Sequence, residues 1–382
     1  MRRCVNAIVF LLGLGSPALA DCSMAQLVAS AGSVIAPCTE RLTNSNLTDA
    51  ERSQALFVRG RGFHRTRDLE RAAQDYRAAF VLDATNEEIL VSWSNVDLRQ
   101  RRMRDYVMRV EQAFRLNERN PRVLRSVGAM FSNRGDRKKA FEFYGRAIEI
   151  DPTEGFALYF RARLYRFERR LAEALADTDA LVAIPRDVLN AQGFLDKDGT
   201  VRDFHVKALI ERAYCHEDLG QLDLAEKDYD AAVEAGRSTS ALAARAHFLA
   251  FVRDRKDDGL RDLIEAVKQE PDYSPAQYSL GLVLIKYQRF EEAFAAFDAA
   301  VNADPAYSGA LTMRARMHRQ LSRTDAAVRD LHDAIAQDPQ EFRKLMSTLR
   351  YAGYWTAPGV PNEITPQLTD AMRACMIDIR CN

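Results

Sequence analysis

The 382-residue sequence lacks the short motifs that most readily identify an enzyme. It has no H-E-x-x-H pair, no G-x-S-x-G turn and no glycine-rich phosphate loop, and its six histidines form no metal-ligand pattern. It also has no C-x-x-C pair, which disfavours zinc or thioredoxin-like chemistry. We therefore expect no catalytic residue, no cofactor and no metal. An enzyme whose site escapes a motif search stays as the minor alternative.

Long apolar runs are also missing. The longest one near the start, from Ala7 to Leu14, is about half of the roughly 20 residues that a membrane span needs. It follows two arginines, and the small residues at 18 and 20 form a cleavage site before Asp21. We predict a signal peptide over 1–20 and export, to a bacterial periplasm in the first instance, without stable membrane insertion after cleavage.

Cysteine is scarce but placed at the ends of the chain. Loss of the signal peptide leaves five cysteines, an odd number. Pairing by proximity in sequence gives disulfides Cys22–Cys38 and Cys375–Cys381, and leaves Cys215 as a buried, unpaired helix residue. Disulfides at both ends fit an oxidising compartment.

A repeated pattern of small and aromatic residues dominates the rest of the sequence. Small residues that let two helices approach alternate with large ones that fill the remaining space, and a proline ends the second helix. One copy of the pattern is Leu124, Val127, Gly128, Phe131, Ala140, Tyr144, Ala147, Pro152, and another is Leu280, Gly281, Leu284, Ala293, Phe297, Ala300, Pro305. Both copies resemble the tetratricopeptide repeat. The resemblance implies an all-α fold, a right-handed α-solenoid of helix pairs that binds other proteins.

The last small position of the pattern recurs with a fixed spacing. It falls at 79, 113, 147 and 181 and again at 232, 266, 300 and 334, with 34 residues between members and 51 between the two groups. We therefore predict about eight helix pairs in two blocks, 53–186 and 206–339, after an N-terminal extension over 21–52. The second and fourth repeats are degenerate, and irregular helix pairs are the alternative there.

Two segments fall outside the repeats. Over 187–205, two short runs flank the Asp198-Gly199 turn, which predicts a β-hairpin insertion; a calcium loop fits less well, since Val201 and Lys207 replace its glycine and its closing glutamate. The C-terminal segment 340–382 weakly resembles a peptidoglycan-binding helical domain, through Gly353-Tyr354 and the run 366–372. A helical cap that closes the solenoid is the other interpretation, and we prefer it.

Charge is divided unevenly along a chain whose net charge is zero. Residues 53–186 contain 26 Lys and Arg against 19 Asp and Glu, whereas residues 187–382 contain 24 against 31. The resemblance implies that defined positions of each first helix line a concave groove. In the front block these positions are Arg61, His64, Arg65, Asn95, Arg99, Arg122, Arg125, Asn133, Tyr159, Arg163, Arg166 and Phe167. They predict a basic groove for an acidic peptide, with a solvated arginine-rich face as the alternative.

The same positions in the back block are apolar. They include Phe248, Phe251 and Tyr278, together with Val252, Leu282 and Ile285. An exposed apolar stripe indicates contact with an extended partner or with the C-terminal segment of the same chain, and we prefer the second. We expect an exported scaffold for protein or peptide partners in the cell envelope. The alternative is a peptidoglycan-associated protein, and nucleic acid is not an expected partner.

Overall fold

The structure is a computed structural model that describes residues 22–23, 33–193, 203–356 and 365–377. All regular secondary structure in these ranges is α-helical, and the chain divides into two compact units after Leu219. The first unit contains α1 Ile35–Leu42, α2 Asp49–Arg65, α3 Leu69–Leu82, α4 Glu87–Arg99, α5 Met103–Leu116, α6 Pro121–Asn133, α7 Arg137–Ile150, α8 Gly155–Phe167, α9 Leu171–Ala183, α10 Arg186–Ala191 and α11 Phe204–Asp218. The second contains α12 Leu222–Glu234, α13 Thr239–Phe251, α14 Lys256–Gln269, α15 Ser274–Lys286, α16 Phe290–Ala303, α17 Ser308–Gln320, α18 Thr324–Gln337, α19 Pro339–Tyr351 and α20 Pro366–Ile377.

Consecutive helices pack as hairpin-like pairs. The closest pairs are α2 with α3, α4 with α5, α6 with α7 and α8 with α9 in the first unit, and α13 with α14, α15 with α16 and α17 with α18 in the second. Each turn between a first and a second helix contains one residue with a positive φ, at positions 67, 101, 135, 169, 220, 254, 288 and 322. This series keeps the spacing of the sequence pattern, including the second and fourth repeats.

A glycine facing an aromatic ring sets the distance within the best-formed pairs. A Cβ atom added to Gly128 of α6 would lie 2.7 Å from the Tyr144 ring of α7. Gly281 of α15 approaches Phe297 of α16 in the same way, at 2.6 Å. No larger side chain fits at these positions without displacing a buried ring, which accounts for the small residues in the pattern.

The degenerate second repeat uses a buried ion pair in place of an aromatic residue. Asp97 of α4, which is fully buried, pairs with Arg109 of α5, and the Arg109 guanidinium lies 3.7 Å from the centre of the Trp93 ring. Burial raises the pKa of Asp97 to about 6 despite its cationic partner. Charge and stacking therefore fill the space that Phe131 and its neighbours fill in the third repeat.

The predicted β-hairpin insertion is wrong. The described residues contain no strand, α10 occupies 186–191, and Phe204, which lies within the predicted insertion, begins α11. Asp203 favours this helix start because its carboxylate accepts hydrogen bonds from the backbone N–H groups of His205 and Val206. The turn itself, residues 194–202, lies outside the described residues.

The two ends of the described chain pack against the repeats. The predicted disulfide Cys22–Cys38 is present, and both cysteines lie in a small core with Ala55 and Val58 of α2. Cys215 is unpaired and buried in α11, as predicted. Cys375 is buried and disulfide-bonded, whereas its predicted partner Cys381 lies outside the described residues.

The C-terminal helices close the last repeat. Helices α19 and α20 both contact α18, and they share one core with it. The Arg319 Nε atom of α17 donates to the Met376 carbonyl oxygen at 2.9 Å. The described part of this segment therefore packs on the last helix pair as a cap. Peptidoglycan binding by 340–382 stays a prediction.

Candidate functional site

The first helices of the four pairs in the first unit stand side by side. Contacts run from α2 to α4, from α4 to α6 and from α6 to α8, so these helices present one common inner face. The predicted front-groove residues belong to these four helices. Their surroundings divide them into a basic cluster at α2 and α4 and a set of ion-paired arginines at α6 and α8.

The basic cluster consists of Arg61, His64 and Arg65 of α2 and Arg99 of α4. Burial, together with Arg99, Arg61 and Arg65, lowers the pKa of His64 to about 3. Burial and the neighbouring Arg61 lower the pKa of Arg65 to about 10. These shifts have one physical cause, since several cationic groups share a poorly solvated space. The cluster therefore brings three arginines and a neutral histidine together on two neighbouring helices.

One polar atom of the cluster has unmet hydrogen-bonding capacity. Within the described residues, the Nε2 atom of His64 is buried without a hydrogen-bond partner. Tyr76 belongs to α3 and interacts electrostatically with Arg61 and Arg65. Asn95 of α4 is half-buried on the same helix as Arg99.

Gly193 also reaches the basic cluster. Its φ is +75°, and a Cβ atom added to it would lie 2.3 Å from the Nη2 atom of Arg65. The positive φ favours glycine here, and a Cβ atom would force the end of the Arg65 side chain to shift. The chain between α10 and α11 therefore passes the cluster at this point, and the residues after Gly193 lie outside the described ranges.

The two predicted arginines of α6 have carboxylate partners that the sequence analysis missed. The Nη1 atom of exposed Arg122 lies 3.1 Å from Glu88 Oε2. The Nη1 atom of Arg125 lies 2.9 Å from Glu154 Oε1, and both of these side chains are largely buried. Arg125 is therefore a structural residue, and its charge is neutralised inside the unit.

The predicted residues of α8 are partnered in a similar way. Buried Tyr159 accepts a hydrogen bond through its hydroxyl oxygen from Arg163 Nη1 at 3.3 Å. The Nε atom of Arg166 lies 2.7 Å from Asp218 Oδ2, and its Nη1 atom lies 3.5 Å from Glu211 Oε2. Both acids belong to α11. The aromatic end of the predicted groove thus contains two carboxylates from a helix distant in sequence.

The predicted apolar stripe of the second unit is only partly accessible. Phe248 is fully buried against Tyr229, so it belongs to the interior. Phe251 is half-buried, between the His247 ring and the Lys286 ammonium group. Tyr278 is half-buried against Phe297 and Tyr307. Helix α20 contacts α18 and α19, while Glu341 and Lys344 of α19 interact electrostatically with Tyr278. Coverage of the rest of the stripe by the C-terminal segment stays a prediction.

Other kinds of site find little support in the described ranges. Groups of three or more His, Cys, Asp or Glu with the geometry to hold a metal ion do not occur among the described residues. None of the described helices combines the length and the apolar character that a membrane span requires. Stacked helix pairs with a charged inner face are the architecture of helical repeat proteins that bind other proteins.

Comparisons with known proteins agree with this class. Tetratricopeptide repeat family models match residues 206–236 and 249–308. Tetratricopeptide repeats are therefore present over these matched residues, and the helix pairs of the other described residues have the same arrangement.

Individual relatives are distant. The Hsp70-Hsp90 organizing protein of Triticum aestivum is 23% identical over 272 residues, which cover 64% of this chain but only 41% of that protein. The crystal structure of the APC/C hetero-tetramer Cut9-Hcn1 aligns over 91% of this chain and 59% of its own, with 12% identity and a TM-score of 0.52. A tetratricopeptide repeat protein from Parabacteroides merdae aligns over 66% of this chain and 93% of its own, with 18% identity and a TM-score of 0.49.

Proposed function

We propose that this protein is an exported interaction scaffold that binds an acidic segment of a protein partner at the inner face of its first unit. The observation that carries the proposal is the basic cluster of Arg61, His64, Arg65 and Arg99. Three of these side chains are guanidinium groups on two neighbouring helices, and each carries several N–H donors that an anionic group can accept.

The chemistry of the cluster favours carboxylates. Guanidinium groups donate paired hydrogen bonds in a planar fork that matches a carboxylate. Partial burial makes each such contact stronger than the same contact in water. Arg122, Arg125 and Arg166 form ion pairs with acids of the same unit, and the proposal does not require them.

The family resemblance supports the interaction role in its general form. The name of the wheat relative describes an organizer of two chaperones, and that description applies to the relative. For the present chain we take from it only that such repeats assemble other proteins, and the acidic character of the partner comes from the basic cluster.

Export rests on the N-terminal sequence and one disulfide. The predicted cleavage site precedes Asp21, and Cys22, the next residue, is joined to Cys38. Stable disulfides are rare in reducing compartments. We therefore propose an envelope location. Mass spectrometry of the protein from its native host should find Asp21 as the first residue with Cys22 and Cys38 linked. An intact Met1 with reduced thiols would rule the location out.

A peptide-binding measurement tests the groove. Fluorescence anisotropy with a fluorescein-labelled hexaglutamate peptide should detect binding that weakens as salt rises. Replacing Arg61 and Arg99 with Gln together should weaken this binding by at least about tenfold, since hydrogen bonds to charged groups contribute about 1.5–3 kcal/mol each. Thermal melting checks that the variant is folded.

The matched control is Arg316→Gln, an exposed arginine on α17, the corresponding helix of the last pair. It removes one positive charge from the second unit, against two in the double variant, and should leave the affinity for hexaglutamate unchanged. Equal affinity of the double variant and the wild type would overturn the proposal. An equal loss of affinity in the double variant and the control would show that binding depends on overall charge and that the basic cluster is not a specific site.

A further inference from the structure

The four turns that join first to second helices in the first unit form a second basic surface. They cover residues 66–71, 100–105, 134–139 and 168–173, and we call them the basic edge. Because α2, α4, α6 and α8 contact one another in order, the turns that follow these helices lie along one side of the unit. Contacts between neighbouring turns agree with this: Arg102 lies 3.3 Å from Glu70, and Arg137 lies 3.8 Å from Glu168.

Positive charge is concentrated on this edge. The four turns contain eleven Lys and Arg against six Asp and Glu, and all eleven basic residues are exposed. The basic residues are Arg67, Arg71, Arg101, Arg102, Arg104, Arg134, Arg137, Lys138, Lys139, Arg169 and Arg170. Six of them form ion pairs with acids, and five of those acids belong to the turns, so the excess of eleven over six already includes these pairs. The equivalent turns of the later repeats, 219–224, 253–258, 287–292 and 321–326, contain five basic and seven acidic residues. The excess is therefore specific to the first four repeats and does not come from the fold.

Arginine occupies a backbone position on this edge that favours glycine. The second residue of each turn has a left-handed conformation, with φ of 65° at Arg67, 59° at Arg101 and 61° at Arg169. Only the third turn has glycine there, Gly135. A side chain with a Cβ atom is disfavoured in this conformation. Arginine is thus present at three positions where the backbone conformation favours glycine, and each of these arginines adds a positive charge to the edge.

Exposed apolar residues accompany the cations. Met103 lies in the second turn and is 43% exposed, and Phe167 precedes the fourth turn and is 60% exposed. The Arg137 guanidinium lies 4.6 Å from the centre of the Phe167 ring. A surface that binds a soluble polyanion through charge alone does not require exposed apolar side chains such as Met103 and Phe167. Cations interspersed with exposed apolar and aromatic groups are typical of surfaces that bind at a lipid interface.

We propose that the basic edge binds the surface of an anionic lipid bilayer and so holds the protein against a membrane. The cations contact lipid phosphates, while Met103 and Phe167 enter the region between headgroups and acyl chains. The acidic-segment site lies on the inner face of the unit, and this surface is formed by the turns. The proposal does not depend on that site, and the two fail independently.

Vesicle co-sedimentation tests the proposal with the purified full chain. Vesicles of phosphatidylcholine mixed with phosphatidylglycerol should bind the protein at low salt, and vesicles of phosphatidylcholine alone should not. The first variant combines Arg67→Gly, Arg101→Gly and Arg169→Gly. Each lost cation should reduce partitioning by about fivefold, from about 1 kcal/mol per basic residue. Because glycine suits the left-handed positions, the melting temperature should not fall.

Matched controls separate the edge from a general effect. The variant with Asp254→Gly, Gln288→Gly and Ser322→Gly changes the same backbone position in the second unit and should bind vesicles as the wild type does. A second edge variant, Arg104→Gln with Lys138→Gln, should also lose binding without any change at the left-handed positions.

Several outcomes would overturn the proposal. They are absence of wild-type binding to the anionic vesicles, equal binding to neutral vesicles, and vesicle binding that neither edge variant reduces. Binding to a soluble polyanion such as heparin without binding to vesicles would assign the edge to an anionic polymer instead.

Discussion

At the residue scale, two arginines on one helix differ in burial and in ion pairing although their sequence positions look equivalent. Arg122 and Arg125 are three residues apart on α6, and the sequence pattern assigned both to the groove. In the structure Arg122 is exposed and loosely paired, whereas Arg125 is held between Glu154 and the face of the Phe156 ring. The sequence predicted their side of the helix correctly. It could not predict their partners, which lie 29 or more residues away.

This difference gives a first prediction. Arg125→Ala leaves Glu154 buried without its cation and should lower the free energy of unfolding by about 3 kcal/mol. Arg122→Ala should change it by no more than about 0.5 kcal/mol, because exposed ion pairs contribute little. Denaturant unfolding of both variants measures the two values. Equal changes in the free energy of unfolding would mean that the Arg125–Glu154 contact does not stabilise the fold.

His64 predicts a pH dependence of stability. Its pKa in the folded state is about 3, against 6.5 for an ordinary histidine. The unfolded chain therefore binds a proton that the folded chain does not as pH falls from about 6.5 toward 3. Stability is complete above this window and is lost within it, by up to about 1.4 kcal/mol per pH unit. His64→Gln should have a shallower slope in denaturant unfolding between pH 7 and 4. Identical slopes would exclude a buried neutral histidine.

At the scale of elements, close approach of two helices depends on glycine only where a ring faces it. Gly128 and Gly145 lie in the two helices of the same pair, α6 and α7. A Cβ atom at Gly128 meets the Tyr144 ring at 2.7 Å, whereas at Gly145 the nearest atom, from Arg161, is 3.5 Å away. The second distance is an ordinary contact.

The two glycines therefore predict opposite effects of one substitution. Gly128→Ala should destabilise by about 1–3 kcal/mol, because the added methyl group overpacks the interface. Gly145→Ala should stabilise by about 0.5–1 kcal/mol, since alanine is the better helix former and has room. Thermal unfolding distinguishes them. If both substitutions stabilise, Tyr144 moves aside easily and the interface is looser than described.

A recurring ion pair between the two helices of a pair was also readable from the sequence, but the sequence analysis did not predict it. An arginine of the first helix forms an ion pair with an aspartate of the second in four helix pairs: Arg59–Asp75, Arg161–Asp177, Arg245–Asp262 and Arg314–Asp330. The partners are 16 or 17 residues apart, so the spacing was readable. The wrong hairpin prediction relied on the Asp198-Gly199 dipeptide, which is typical of a turn. It ignored Asp203, whose side chain caps the start of a helix.

At the scale of the whole molecule, the 34-residue repeat period was sufficient to predict most of the helix pairs. A fixed spacing of small residues determines which helices pair, and that information is local. The sequence contained the excess of positive charge over residues 53–186 but not the partner of each basic residue. Arg122, Arg125 and Arg166 pair with Glu88, Glu154 and two acids of α11, and other basic residues lie in the basic cluster and along the basic edge. Such a division depends on neighbours in space, which one sequence does not reveal.

The central claim is that an acidic segment binds at the basic cluster of the first unit. A hexaglutamate peptide with a terminal benzophenone group, photo-crosslinked to the protein and mapped by mass spectrometry, tests it most directly. We expect crosslinks on the inner face of α2 and α4, around Arg61 and Arg99, and we expect them to disappear at high salt. Crosslinks confined to α13 through α19, or crosslinks that persist when Arg61 and Arg99 are replaced by Gln, would contradict it.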